Sequence, residues 1–437
     1  MLRETSNSAP VSSVPALHFS QHSRRAADQA ISYLMQQGVE NPDCISLAAG
    51  LVDEKTLPVQ LTKAAVDRVL RDPESGRTAL QYGTTPGPEH LRRTFRSWLA
   101  ELEGHSNGLN NLPLDQIVLT TGSQQLLLLI TQALFNPGDL CLVAAPTYFV
   151  FLGVLEAAGA KAIPVKSDEN GMCPVDLERQ LKAIESRGEL DRVKLVYTVS
   201  YYDNPSGVSI SEDRRPRLLD LVKTWSRNHR ILLLEDAAYR ELHYDGPKYP
   251  SIWSFDTDRE FVILASTFSK SFSPGVRVGM GVLPKELVKP VCDLKGNEDF
   301  GSAHLNQNVV AEVIRSGDYR RHVDSVQTGY RVKRDAMVTA ARDFFSDIPG
   351  VTWVEPNGGM YVWMTLPAGV ETGFNSPLFR YAAQKEKVMY VPGELCYPSD
   401  WHDRPRSQMR LSFGVQQADG VREGMLRLSR AVRHILG

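Results

Sequence analysis

Leu264-Ala265-Ser266-Thr267-Phe268-Ser269-Lys270, followed by Ser273-Pro274-Gly275-Val276-Arg277, is the stretch on which the reading of this chain turns. The apolar run Phe261–Leu264 has the character of a strand, and Lys270 follows closely after its end. Lysine is usually a surface residue. Here it sits among Ser266, Thr267 and Ser269, which is poor territory for a solvated flank. Arg277 adds a second cation seven positions on. Burial beside that charge would lower the lysine's pKa and favour a reactive amine or imine. Hydroxyls and a guanidinium close together also suit a phosphate.

Outward from this stretch, short apolar runs alternate with longer amphipathic ones. Ile117–Thr120, Leu140–Ala144, Ala162–Val165, Lys194–Val199, Ile231–Leu234, Phe261–Leu264 and Val276–Val282 read as strands. Gln124–Leu134, Val175–Ile184 and Arg214–Trp225 read as helices between them. Nearly continuous apolar strands separated by helices indicate a mostly parallel, seven-stranded sheet with helices on both faces. Ligands gather beyond the strand C-terminal ends of such sheets. From about residue 310 the texture changes to a long charged helix, Tyr319–Phe344, and then short strands at Val351–Val354 and Met360–Met364. Met389–Val391 and Gln408–Phe413 can join those strands, and Val421–Ile435 reads as a closing helix. The expectation is an α/β fold with a tail and arm over 1–50, a large domain over 51–310 and a smaller α+β domain over 311–437. Within the arm, residues 20–38 have a helical spacing.

The strand ends carry candidate groups. Gly122-Ser123-Gln124-Gln125 opens an apolar helix, where free N–H groups and the helix dipole suit a phosphate; ordinary capping by Ser123 is the plainer alternative. Asp236 ends Ile231–Leu234 and can pair with a protonated pyridine nitrogen, or cap a following helix. Tyr239 and Asn204 can bond a phenolic oxygen, although Asn204-Pro205-Ser206-Gly207 is also a turn sequence. Tyr148 can lie on a ring or simply fill the core. An amine, a pyridine partner and a phosphate cradle together fit pyridoxal 5'-phosphate held as a Schiff base at Lys270.

In order and spacing these segments resemble the class I/II aminotransferases, within the fold-type I pyridoxal-phosphate enzymes. The resemblance spans roughly 44 to 436. It is nearest to the branch of 2-aminoadipate and kynurenine aminotransferases and the aminotransferase domains of MocR-type regulators. It implies that Lys270 binds the cofactor covalently, Asp236 holds its nitrogen, Asn204 and Tyr239 its phenolic oxygen, and Tyr148 its ring face. Ser123, Gln124, Thr267, Ser269 and Arg277 would surround the phosphate. Tyr82 resembles the tyrosine that reaches the neighbouring subunit's phosphate, which implies a homodimer. Arg410 resembles the clamp on the substrate carboxylate, with Gly50 and Asn204 nearby; a planar fork suits that group. The implied activity is ping-pong exchange of an amino group between an L-amino acid and a 2-oxo acid.

One departure is Ser200, where the family often has proline; Tyr201 and Tyr202 beside it are expected to border the site. With Phe149 and His304 they can line an apolar or aromatic-accepting pocket. An aromatic, adipate-like or branched-chain amino acid is the expected donor. The chain leaves no room for a winged helix-turn-helix, which argues against a DNA-binding regulator. Another reaction of the same cofactor, or a non-catalytic amine sensor, would use the same residues. A nicotinamide site is disfavoured, since no G-x-G-x-x-G follows a first strand.

The chain has 437 residues, which favours two domains over one. Its net charge of -2 gives no general pull towards nucleic acid or an acidic membrane. Five scattered cysteines without a CxxC pair argue against a disulfide framework or structural zinc, and fit a reducing cytoplasm. No metal is expected, and no apolar segment is long enough to span a bilayer.

Overall fold

The structure is a computed structural model that describes residues 17–26, 43–104 and 112–437. Its strands in chain order are β1 Ile45–Ser46, β2 Ile117–Thr120, β3 Leu140–Ala145, β4 Lys161–Asp168, β5 Gly171–Met172, β6 Val193–Val199 and β7 Leu232–Asp236. There follow β8 Val262–Thr267, β9 Gly279–Val282, β10 Thr352–Trp353, β11 Tyr361–Thr365, β12 Val388–Met389, β13 Val391–Pro392 and β14 Gln408–Ser412. Of the arm's expected helix only Gln21–Arg25 falls among the described residues with that form; 27–38 lie outside them.

The large sheet has the order β2-β9-β8-β7-β6-β3-β4-β5. Neighbours from β8 through β4 are parallel, while β9 runs against both β2 and β8. All seven expected strands are present. The two-residue β5 adds an eighth as a hairpin on β4. β2, β3, β7 and β8 are buried along their whole length, which is why they read as unbroken apolar runs. The path from β2 to β3 to β4 moves one way along the sheet, and the path from β4 to β6, β7 and β8 returns. Right-handed crossovers therefore place the two sets of helices on opposite faces. Gly122–Leu134 and Phe149–Ala158 pack together on one face; Pro174–Ser186, Arg214–Trp225 and Ile252–Phe255 pack on the other.

The smaller sheet is antiparallel, in the order β10-β11-β14-β13. Its helices Asp318–Phe345 and Ala418–Leu436 lie against each other. The single strand expected at Met389–Val391 is two short ones. β13 joins the small sheet, whereas β12 pairs in parallel with β1 from the chain's other end. A buried ion pair fastens the same region: Lys333 Nζ lies 2.6 Å from Asp53 Oδ2 and donates to the Gly414 carbonyl at 3.1 Å. No described helix is long and apolar enough to cross a membrane.

Candidate active site

Five strands of the large sheet end at one cavity. β2 leads to Ser123 and Gln124, β3 to Tyr148, β6 to Asn204, β7 to Asp236 and Tyr239, and β8 to Thr267, Ser269 and Lys270. These residues and Arg277 line a space of about 170 Å³, closed by Val199, Ala238 and Pro274.

The β2 end forms a cradle. The helix Gly122–Leu134 starts there, and its N-cap, Thr121, makes no capping bond through its side chain. Ser123 is inside the helix, so it is not the cap. Gly122 has φ +73°, and a Cβ there would stand 2.9 Å from Arg277 Nη2. A Cβ on Gly279 would meet the Gly122 carbonyl carbon at 2.7 Å. Glycine at both positions thus lets the helix start, β9 and the guanidinium approach one another. Arg277 is exposed along the rim; it donates to Ser269 Oγ and to the Thr121 carbonyl, each at 3.4 Å. Thr267 donates to Ser269 Oγ at 2.9 Å. Beneath the cradle, Asp299 Oδ2 accepts from Thr121 Oγ1 at 2.9 Å and Gln125 Nε2 at 2.7 Å, and Lys295 Nζ donates to Oδ1 at 2.8 Å.

Asp236 is buried at the opposite wall. It accepts from the Tyr197 hydroxyl and the Ala238 N–H, each at 3.1 Å. Burial outweighs those bonds and pushes its carboxyl up to about 6. No described lysine or arginine pairs with it, so the wall presents an acid short of a cation. The amide of Ala238 that it holds lies in a turn, so it caps no helix. Lys270 Nζ donates to the Gly50 carbonyl at 2.8 Å. Burial pulls its ammonium down, and Arg410 and Arg277 add to that effect. Tyr148 reaches Gln124 Oε1 with its hydroxyl at 3.4 Å.

The small sheet supplies Arg410 from β14. Nη1 donates to Asn204 Oδ1 and Nη2 to the Ala48 carbonyl, both at 2.8 Å, while buried Nε has no partner. Asn204 Nδ2 donates to the Tyr239 hydroxyl at 3.3 Å. Gly50 brings its backbone against this group, with room for little more: a Cβ would lie 3.0 Å from the Tyr361 hydroxyl. Together these features fit a phosphorylated pyridine aldehyde: a glycine-lined anion cradle, an amine, an acid awaiting a cation, and an orphaned guanidinium N–H beyond.

Tyr82 stands outside the cavity, 77% exposed, with its ring 5.5 Å from that of Phe300. Tyr201 and Tyr202 do not border the cavity, contrary to expectation. The guanidinium of Arg215 lies 4.4 Å over the Tyr201 ring, and Tyr202 bonds His243. Both tyrosines line a separate recess of about 70 Å³. Ser200 serves the packing there by donating to Glu235 Oε1 at 2.7 Å, within the buried Arg215–Glu235 pair. His304 is likewise elsewhere, buried against Gly83 and bonded to the Gln81 carbonyl. Phe149 does approach Arg410, with its ring 5.6 Å from the guanidinium Cζ.

The family described as Aminotransferase class I and II matches residues 42–420, and the chain belongs to it. It is an enzyme that transfers amino groups between amino acids and 2-oxo acids. The aromatic-amino-acid aminotransferase 1 of Thermococcus litoralis is 34% identical over 397 residues, covering 90% of this chain and 89% of that protein. The 2-aminoadipate transaminase of Thermus thermophilus is 30% identical, with 91% and 92% covered. A crystal structure of Pyrococcus horikoshii kynurenine aminotransferase, in complex with PMP, KYN and KYA, superposes with a TM-score of 0.86 at 33% identity. It covers 96% of this chain and 98% of its own.

Proposed function

We propose that the cavity is the pyridoxal 5'-phosphate site of this aminotransferase and that its residues act as follows. The carrying observation is that the Lys270 amine, the Asp236 carboxylate and the glycine-floored cradle with Arg277 share one cavity. Lys270 binds the cofactor's carbonyl carbon. Asp236 holds the pyridine nitrogen, whose positive charge offsets the cost of the buried acid. Asn204 and Tyr239 hold the phenolic oxygen, and Tyr148 covers the ring. Ser123, Gln124, Thr267, Ser269 and Arg277 hold the phosphate.

When bound, the cofactor supplies an electrophilic carbon and a ring that withdraws electrons from the substrate. The chain does the rest. Arg410, with Gly50 and Asn204 beside it, fixes the substrate carboxylate and so orients the α C–H bond. Lys270 Nζ, once its amine is free, takes that proton; burial, which pulls its ammonium down, favours the free base this needs.

The functional unit is a homodimer in which Tyr82 reaches the neighbour's phosphate. Its exposed ring beside exposed Phe300 supports that reading. The chain divides into the arm 1–50, the large domain 51–310 and the small domain 311–437, with the helix His304–Arg315 as a strut across the division. Five free cysteines support a reducing, cytoplasmic setting. The names of the relatives support an aromatic or adipate-like amino donor.

Lys270→Ala is the direct test. The variant should lose the visible absorption band of the lysine-bound cofactor and should lose turnover. Turnover at the wild-type rate would remove Lys270 from this role. In the wild type, one amino acid should bleach the band and a 2-oxo acid should restore it.

A further inference from the structure

Tyr361 begins β11 with its side chain buried. Its hydroxyl lies 3.1 Å from that of Tyr239, and the two rings meet edge to face at 5.7 Å. Arg410 Cζ stands 4.3 Å from the centre of the Tyr361 ring. The contacts close a circuit from Arg410 through Asn204, Tyr239 and Tyr361 back to Arg410.

The polarity of this circuit is fixed at one end. A guanidinium has donors and no acceptor, so Arg410 must face the oxygen of Asn204. The Asn204 amide nitrogen then points at Tyr239 and donates to it. Among the described residues, Tyr239 is the only hydrogen-bond partner of the Tyr361 hydroxyl. Were Tyr239 to donate to Tyr361, the Tyr361 proton would be buried without an acceptor, at a cost of about 1–3 kcal/mol. A proton left over on Tyr239, which lines the cavity, can reach a partner there, whereas one left over on Tyr361, which does not line it, cannot; Tyr361 therefore donates.

We infer that Tyr361 is a positioning residue: its hydroxyl donates to Tyr239 and so commits the Tyr239 proton to the cavity, towards the phenolic oxygen of the cofactor. The inference rests on the cofactor reading above. Two donations into the Tyr239 oxygen also polarise its O–H and strengthen it as a donor. A stronger donor would draw charge from the cofactor's oxygen and so lower the proton affinity of the neighbouring Lys270 nitrogen where it joins the cofactor. The other titratable or charged groups facing the Tyr361 hydroxyl are Lys270, Tyr148, Tyr330 and Arg410. All are retained in Tyr361→Phe, which removes one oxygen and keeps the ring.

The test is a pH titration of the visible absorption of the holoenzyme without substrate, in wild type, Tyr361→Phe, Tyr239→Phe and the double variant. Tyr361→Phe should raise the midpoint by about half a unit or more. Tyr239→Phe should raise it too, and the double variant should go no further than Tyr239→Phe alone. An unmoved midpoint in Tyr361→Phe, or a double shift equal to the sum of the two, overturns this inference and leaves the cofactor site standing. A wild-type protein that forms no visible band with pyridoxal phosphate overturns both.

Discussion

Asp203 shows what burial does to an acid next to a reaction site. It is buried, its Oδ1 has no partner, and its Oδ2 accepts from Ser206 Oγ at 2.7 Å. Burial, with a smaller push from Asp236, raises its carboxyl to about 7. The folded chain then holds a proton that the unfolded chain has already lost between roughly pH 4 and 7. This group's contribution to stability falls as pH rises through that window, and the full cost is present above it. In cofactor-free protein, Asp203→Asn should therefore gain more thermal stability over wild type at pH 8 than at pH 5. Melting curves at the two values decide it, and a gap that stays constant would sink the argument. Asp203 was not legible as special, because a residue in a turn sequence reads as solvated. Tyr361 was hidden for the converse reason: within Met360-Tyr361-Val362-Trp363-Met364 it reads as one more apolar strand position. Lys270, Asp236 and Asn204 were legible because their types are costly or unusual after buried strands.

The elements of the large sheet were legible because buried parallel strands must be apolar on both faces. The ends were less so. The strand expected from Val276 begins only at Gly279, since Pro274–Val276 forms a 3-10 turn and Arg277 takes a left-handed conformation with φ +51°. That bend is what aims the guanidinium at the cradle. The Lys295–Asp299 pair, spaced i to i+4, reads as an ordinary surface pair. In the fold Lys295 is buried and Asp299 anchors the start of the cradle helix. Packing in this element is tight at β9. Gly279→Ala puts a methyl 2.8 Å from the Ser123 nitrogen, against backbone that cannot yield. The expected outcome is a loss of about 1–3 kcal/mol in stability. Cofactor affinity should weaken about tenfold or more, read by absorbance titration, because the anion-binding N–H groups are displaced. Unchanged affinity would mean that the cradle does not bind the phosphate.

At the scale of the whole molecule, the proposed dimer makes each site depend on two chains. Lys270→Ala and Tyr82→Ala subunits, each impaired alone, should complement when mixed and reassembled. A hybrid has one site with both native groups, so random reassortment restores about a quarter of wild-type sites. Turnover no higher than the mean of the two parents would place Tyr82 outside the neighbour's site. Within one chain, distance along the sequence matters as much. The Ala48 carbonyl waits for Arg410, 362 residues later, and β1 waits for β12. At about 5–20 residues per second, a ribosome needs roughly 20–70 s to make that span. Only over the last 131 residues of that span, from Gly279 to Arg410, does the growing chain have its lysine and cradle but not Arg410. On the roles proposed above, a nascent chain would begin to collect its cofactor before it could hold an amino acid, and substrate binding would be the last property that translation confers.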